Sequence, residues 1–418
     1  MVELVTGLLR EVGWLIFGTT VGKFVLIALL FTLPLAAVLT WMERRQSAYS
    51  QDRYGPQRAH FLTLFGRPIV LFGLLHILAD SLKMFFKEPF TPSAADRTVF
   101  RIAPMIGFVT ALLTLALIPF GPDFVAGTET YQLQVARIDT GILIVFAIGS
   151  LGIYGAALAG WASNNRFALL GGLRASAQTI SYEIALGLTV VGILIAYGST
   201  ELADIVGAQA GLAVGFLPNW GIIVQPVGAV LFFTAAMAET KRAPFDLPEA
   251  ESEILGYFLE YSSMGFGLFM LSEFIEVVVL AALFVTIFLG GWQMPMLLSE
   301  SAVHLGPWLT ITNPWVYGIV GVLVFALKTF FICVLQLQIR WTLPRFRYDQ
   351  LMRLGWKSLL PLSLVNIFVT AGLVWWDPSL ELLKIFGVVA IILFILVVIA
   401  GPRRLPSSPA AAPAAHGH

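Results

Sequence analysis

The feature that most limits this chain is a succession of apolar runs, each about 20 residues long and so able to cross the roughly 30 Å core of a bilayer as a helix. Nine such runs are present, at about 17–42, 101–121, 138–160, 180–198, 219–239, 262–290, 314–338, 358–376 and 381–400. Hydrophobic residues make up 58% of 418 and charged residues 12%, about half the charge of a typical soluble domain. Mean hydropathy is +0.85. Neither alternating barrel-type strands nor long soluble insertions interrupt the pattern. The expected fold is therefore an all-α polytopic membrane protein with about nine transmembrane helices, every backbone polar group paired within its own helix. Only Asp377 and Pro378 separate the last two runs, so eight spans is the alternative.

Lys and Arg placement sets the expected orientation. The connections after odd-numbered runs hold most of the bases, among them Arg44, Arg53, Arg174, Arg242, Arg340 and Arg403. Those after even-numbered runs offer only Arg137, at a membrane edge. By the positive-inside rule the N-terminus faces out and the major loops face the cytoplasm. The Arg403–Arg404 pair then favours nine spans. Residues 1–405 are expected to form a single transmembrane domain, and the Pro/Ala-rich tail 406–418 to be disordered.

Several function classes are disfavoured. Formal net charge is zero, which argues against a nucleic-acid partner. The single cysteine, Cys333, cannot ligate an iron–sulfur cluster. His60, His76, His304, His416 and His418 show no metal-ligand spacing. No dinucleotide or Walker glycine motif is present. Electrons, if this protein handles them, must arrive through another subunit.

The connection from Glu43 to Phe100 is more than loop. Leu71, Leu74, Leu75, Leu78, Leu82, Phe85 and Phe86 share one helical face, with His76, Asp80, Lys83 and Lys87 on the rest. This pattern predicts an amphipathic helix over about 69–88, lying at the membrane interface or under a partner protein.

Charged groups inside spans are costly, about 2.5–3.5 kcal/mol on insertion scales. Glu273 and Glu276 share one face of the sixth run, Glu183 opens the fourth, Glu239 ends the fifth and Lys328 is central in the seventh. Acids on successive spans, with a buried lysine on another, point to a hydrated charge path; a lone structural hydrogen bond is the plainer alternative for any one of them. Two polar stretches lie beside these runs. From Gly160 to Glu183 the chain reads G-W-A-S-N-N-R-F-A-L-L-G-G-L-R-A-S-A-Q-T-I-S-Y-E, with Trp161 as an interfacial anchor and Gly171–Gly172 allowing a bend before Arg174. From Ala238 to Glu253 it reads A-E-T-K-R-A-P-F-D-L-P-E-A-E-S-E, where crowded carboxylates raise one another's pKa or simply face solvent.

These two stretches, with E-R-R near Glu43 and R-Y-G-P-Q-R after it, G-L-L-H-I-L-A-D-S-L-K-M-F-F-K-E from Gly73 and R-W-T-L-P-R-F-R-Y-D-Q-L-M-R-L-G-W-K from Arg340, resemble one family. They are similar to the membrane-embedded H subunit (mitochondrial subunit 1 type) of NADH:quinone oxidoreductase, respiratory complex I, and the likeness covers about residues 40 to 360. The resemblance implies a subunit of a proton-pumping complex in the bacterial inner membrane, forming the chamber that a lipid-soluble quinone enters. No cofactor is expected on this chain, with quinone as substrate and with FMN and iron–sulfur clusters in partner subunits. The implied partners are hydrophilic iron–sulfur and quinone-site subunits, small membrane subunits, antiporter-like pumping subunits and lipid. Carried over, Arg44, Arg53, Asp80, Arg174, Arg242 and Asp246 look like chamber or entrance residues. Glu183, Glu239, Glu249, Glu251 and Glu273 look like a proton- or charge-coupling path, and Glu276 has no assigned counterpart.

This sequence also departs from the family pattern. The connection between Gly55–Pro56 and Gly73 is longer than usual, His76 stands where Gln is common, Ile77 replaces a Pro, and Lys241 replaces an Asn. The segment Glu253 to Glu260 is one residue shorter. Such changes keep open a related complex with another electron donor, such as a hydrogenase. A stand-alone transporter would require internal repeats with broken helices, and no convincing repeat is seen.

Overall fold

The computed structural model describes residues 19–60, 63–64, 67–68, 70–126, 129–213, 217–248, 256–295, 297–299, 302–304 and 310–400. Glu249, Glu251, Glu253 and the tail 406–418 lie outside the described residues. In chain order the main helices are α1 (Thr20–Ser50), α2 (Leu75–Phe86), α3 (Arg97–Leu117), α4 (Gly141–Ala162) and α5 (Arg166–Tyr197). They continue with α6 (Pro226–Glu239), α7 (Ser263–Phe288), α8 (Pro314–Thr342), α9 (Tyr348–Trp376) and α10 (Glu381–Ala400). Among the described residues, seven of these are long and apolar enough to cross a membrane: α1, α3, α4, α5, α7, α8 and α9. The apolar helices α6 and α10, of 14 and 20 residues, fall on the remaining two runs. Among the described residues, extended structure is limited to short antiparallel pairings in loops, such as Phe124–Ala126 with Glu129–Tyr131. The chain is an all-α polytopic membrane protein.

Local sequence explains where these helices start and stop. The Asp96 carboxylate caps α3 by accepting from the amides of Thr98 and Val99, and the Asn165 side chain caps α5 through Phe167. Asn313 caps α8 through Trp315, with Pro314 at the first helical position. Gly198, at φ +69, ends α5 in the left-handed conformation that a helix C-terminus favours.

The expected bend at Gly171–Gly172 is not there. α5 runs unbroken for 32 residues, about 48 Å at 1.5 Å per residue, and carries Arg174 within the helix. Packing supplies the reason. A Cβ on Gly172 would lie 2.9 Å from the Ala156 carbonyl, and one on Gly160 would lie 2.5 Å from the Ala168 carbonyl. Between helices in lipid, association depends on close van der Waals packing of small residues rather than on hydrophobic burial. These glycines thus bring α4 and α5 together instead of breaking α5.

α3, α4, α5 and α6 pack successively, α5 also meets α9, and α7 contacts α2, α3 and α8. From Val277 to Phe288 every residue of α7 is buried, as expected of a helix that is apolar all round. Around it lies the largest core cluster, which includes Phe232, Phe284, Phe288 and Phe325.

The amphipathic helix forms as α2, with Leu78, Leu82, Phe85 and Phe86 exposed on the isolated chain. A tight turn at Leu71–Gly73 precedes it, with left-handed backbone at all three residues.

Candidate functional site

Three segments converge: α5, the stretch after α6 and the stretch after α8. Gln178 of α5 donates to the carbonyls of Ala238 (2.7 Å) and Phe245 (2.9 Å), tying the 239–248 segment to α5. The segment after α8 closes over it: Phe346 donates its amide to the Pro244 carbonyl at 3.1 Å, and Phe245 stacks on Phe346. Arg345 Nη2 donates to Asp246 Oδ2 at 2.9 Å. Arg174 lies over the Tyr348 ring at 5.3 Å, and Tyr182 donates its hydroxyl to the Leu351 carbonyl at 2.8 Å.

Two cavities bear on the 239–248 segment, one lined by it and one reached through the pairing of Arg242 with Glu43. The first, about 70 Å³, lies within the bundle among α3, α4, α5, α6 and α7. Glu239, Lys241, Glu273 and Glu276 line it, with Thr110, Thr114, Ser272 and Tyr257. Gly107, Gly149 and Gly152 leave the space in its wall. A polar cavity of this size has room for a few water molecules, each needing at least about 10–15 Å³ and several polar partners. Tyr257 donates to Glu273 Oε1 at 3.0 Å. Glu183, on α5, accepts from the Ser150 hydroxyl of α4, next in sequence to Gly149 of the cavity wall.

The second cavity, about 700 Å³ and open, is lined by Glu43, Arg44, Arg53, Tyr54, Arg58, His76 and Arg340, among others. Arg44 pairs with Asp80 at 2.5 Å, joining α1 to α2. Glu43 takes Arg242 Nη1 on one carboxylate oxygen at 2.6 Å and Arg340 Nη1 on the other. Arg242 also lies over the Phe274 ring of α7 at 3.7 Å. Between the two cavities a smaller one of about 20 Å³ is lined by Arg242, Arg340, Gln336 and Phe274.

The expected site residues thus divide. Arg44, Arg53, Asp80 and Arg242 gather at the basic mouth, while Glu239 and Glu273 share the inner cavity, and Glu183 stands close enough to Glu239 and Glu276 to interact with them electrostatically, on α5, whose Thr179 also lines that cavity. Arg174 and Asp246 sit apart from the mouth, against the 345–348 segment. Lys328 does not join the acids. Its ammonium donates to the carbonyls of Leu289 (2.7 Å), Gly291 (3.0 Å) and Gln293 (2.6 Å) in the turn after α7, and lies 4.2 Å from the Trp220 ring centre. Three residues not assigned to the path or chamber from sequence belong here. Glu276 follows Glu273 by three residues, a spacing already visible in the chain. Glu43, near the end of α1, and Lys241 were visible in the sequence only as part of the E-R-R motif and as a departure from a usual Asn, and neither pattern says which charges they meet.

The fold and site define a polytopic helical membrane protein with an acid-lined inner cavity and, separately lined, a basic mouth. Comparison with known proteins narrows this class. The sequence-family profile described as NADH dehydrogenase matches residues 23–371. The second H subunit of the NADH-quinone oxidoreductase of Syntrophobacter fumaroxidans is 45% identical over 85% of this chain and 98% of its own length. The first H subunit of Geobacter metallireducens is 45% identical over 82% and 94%, and the H subunit of Thermomicrobium roseum 44% over 87% and 97%. The chain belongs to the H-subunit family of NADH-quinone oxidoreductase, the complex I membrane subunit.

Proposed function

We propose that this chain forms the quinone chamber of a proton-pumping NADH:quinone oxidoreductase and passes the consequence of quinone reduction to a path of buried carboxylates. Its partners are other subunits of the same complex. We assign the electron-donating iron–sulfur subunits to the basic mouth and the pumping subunits to the far side of the path. Under this reading the end of α1 around Glu43 and the loop around Arg242 face the cytoplasm of a bacterial inner membrane, as the positive charge there favours.

One observation carries the reading: a single short segment serves both cavities. Glu239 and Lys241 line the inner one, while the adjoining Arg242 holds Glu43 at the mouth. Reducing a quinone takes up two electrons and two protons to give the quinol. The electrons come from a partner subunit. The apolar face of α2 offers a lateral boundary for an isoprenoid tail, and Arg44, Arg53 and Arg58 offer positive charge to a reduced headgroup. A change of charge at the mouth acts on Arg242 and Glu43, and through the 239–242 backbone on the acids behind. In a low-dielectric interior such a change is felt strongly.

The test is a pair of substitutions in the assembled complex, Glu183→Gln and Glu239→Gln. Both are expected to leave assembly intact while impairing coupled quinone reduction. Wild-type turnover and pumping in both variants would remove these residues from the path. Activity with NADH as donor, against activity only with another reductant, decides the identity of the electron donor.

A further inference from the structure

We propose that His76 is a positioning residue, which fastens the 54–60 segment to α2 and so holds one wall of the basic mouth in place. The proposal rests on the reading of that mouth as the quinone chamber.

Two amides converge on one atom. The Nε2 of His76 lies 3.1 Å from the backbone nitrogen of Arg58 and 3.1 Å from that of Ala59. Both N–H groups donate, so Nε2 carries a lone pair and the ring proton sits on Nδ1. Residues 54–60 belong to no helix or strand, and they supply Tyr54, Pro56, Gln57 and Arg58 to the mouth. An irregular segment without regular backbone pairing depends on such side-chain anchors for a fixed position.

A second contact sets the anchor itself. Gly73 has φ +88, and a Cβ there would lie 2.2 Å from the Pro56 carbonyl oxygen, so the same segment presses on the turn that starts α2. That turn is held left-handed at Leu71, Phe72 and Gly73. Its Phe72 carbonyl accepts from Trp41 Nε1 at 2.9 Å and Arg45 Nη1 at 3.1 Å. Strained backbone persists only where its surroundings over-determine it. Here α1 holds the turn, the turn starts α2, and α2 presents His76 to the segment.

The chemistry of the clasp is specific. An imidazolium carries a hydrogen on each nitrogen and cannot accept, so protonation removes both hydrogen bonds and sets three donors against one another. The charged groups around it are Arg44 paired with Asp80 of α2, Glu43 paired with Arg242 and Arg340, and Arg53 and Arg58 of the segment. His60 approaches the Arg58 carbonyl through Nδ1 at 3.1 Å. A glutamine carboxamide oxygen accepts two N–H groups without titrating, whereas leucine accepts none.

The experiment compares the wild-type complex with His76→Gln and His76→Leu. Hydrogen–deuterium exchange is read on peptides covering 54–60, and KM and kcat are measured for a short-chain quinone. The His76→Leu variant is expected to exchange the 58–59 amides at least about tenfold faster and to raise KM several-fold with kcat nearly unchanged. The His76→Gln variant, whose carboxamide oxygen can accept from the same two amides, is expected to keep both at wild-type values. Unchanged exchange in His76→Leu, or exchange in His76→Gln as fast as in His76→Leu, overturns the clasp. Faster exchange with an unaltered KM overturns the tie between this wall and quinone while leaving the activity of the complex as the separate measure of the chamber reading.

Discussion

Tyr257 donates its hydroxyl to Glu273 Oε1 at 3.0 Å, and both side chains are buried at the inner cavity. The tyrosine precedes α7 and the glutamate lies two turns and more inside it, so the bond fixes an acid of the proposed path to the connection that enters the helix. Leaving a buried acceptor without its donor costs about 1–3 kcal/mol. Tyr257→Phe is expected to keep the shape of the site and lower the number of protons pumped per quinone reduced. Proton uptake and quinone reduction measured together in proteoliposomes check this; an unchanged ratio would make the bond structural only.

Lys241 follows the C-cap of α6 with φ +54, the position where glycine or asparagine is usual. It is the one base among the described residues lining the inner cavity. Lys241→Asn relieves a left-handed penalty of about 1–2 kcal/mol but removes the charge that balances Glu239, Glu273 and Glu276. The variant is expected to assemble at least as well as wild type and to turn over more slowly in the coupled reaction. Lys241→Arg keeps the charge and should retain more activity. Equal rates in all three proteins would separate Lys241 from function.

Gly160 and Gly187 make a matched pair. A Cβ on Gly160 would lie 2.5 Å from the Ala168 carbonyl, while one on Gly187 meets nothing within 4 Å. Gly160→Ala is expected to force the α4–α5 contact apart, a loss of about 1–3 kcal/mol, and to lower the yield of assembled complex. Gly187→Ala is expected to be neutral or to stabilise by up to about 1 kcal/mol through helix propensity. Thermal inactivation of the purified complexes ranks them.

Lys328 supplies three hydrogen bonds to the turn that ends α7. Lys328→Met fills similar space but leaves three carbonyls without this donor, at a cost of more than about 3 kcal/mol in total. Poor assembly is expected, with normal coupling in whatever complex does form. Full assembly with lost pumping would instead return Lys328 to the charge path.

The helices were legible in the sequence because a membrane span needs only length and apolarity, and a cap needs only a residue such as Asp96, Asn165 or Asn313 at the right place. α2 was legible too, since its apolar face repeats at helical spacing. The start of α5 was not: Gly171–Gly172 suits a bend as well as a close helix contact, and only the neighbouring backbone of α4 selects between them. The place of Lys328 was hidden for a similar reason. Its carbonyl partners exist only once Gly290 and Gly291 have turned the chain after α7, both at positive φ.

The sequence by itself determined that this chain crosses a membrane, where its charged groups cluster and which family its motifs match. Hydropathy, helical spacing and residue-type motifs are local properties, and they survive without any knowledge of neighbours. Tertiary structure decided which charges meet. It set Arg242 and Arg340 on the two oxygens of Glu43, Lys241 among three carboxylates, Lys328 on a helix end and His76 on two amides of a loop. These pairings join residues up to 297 positions apart, and they depend on how closely the helices approach, which the small residues between them allow and no local pattern specifies.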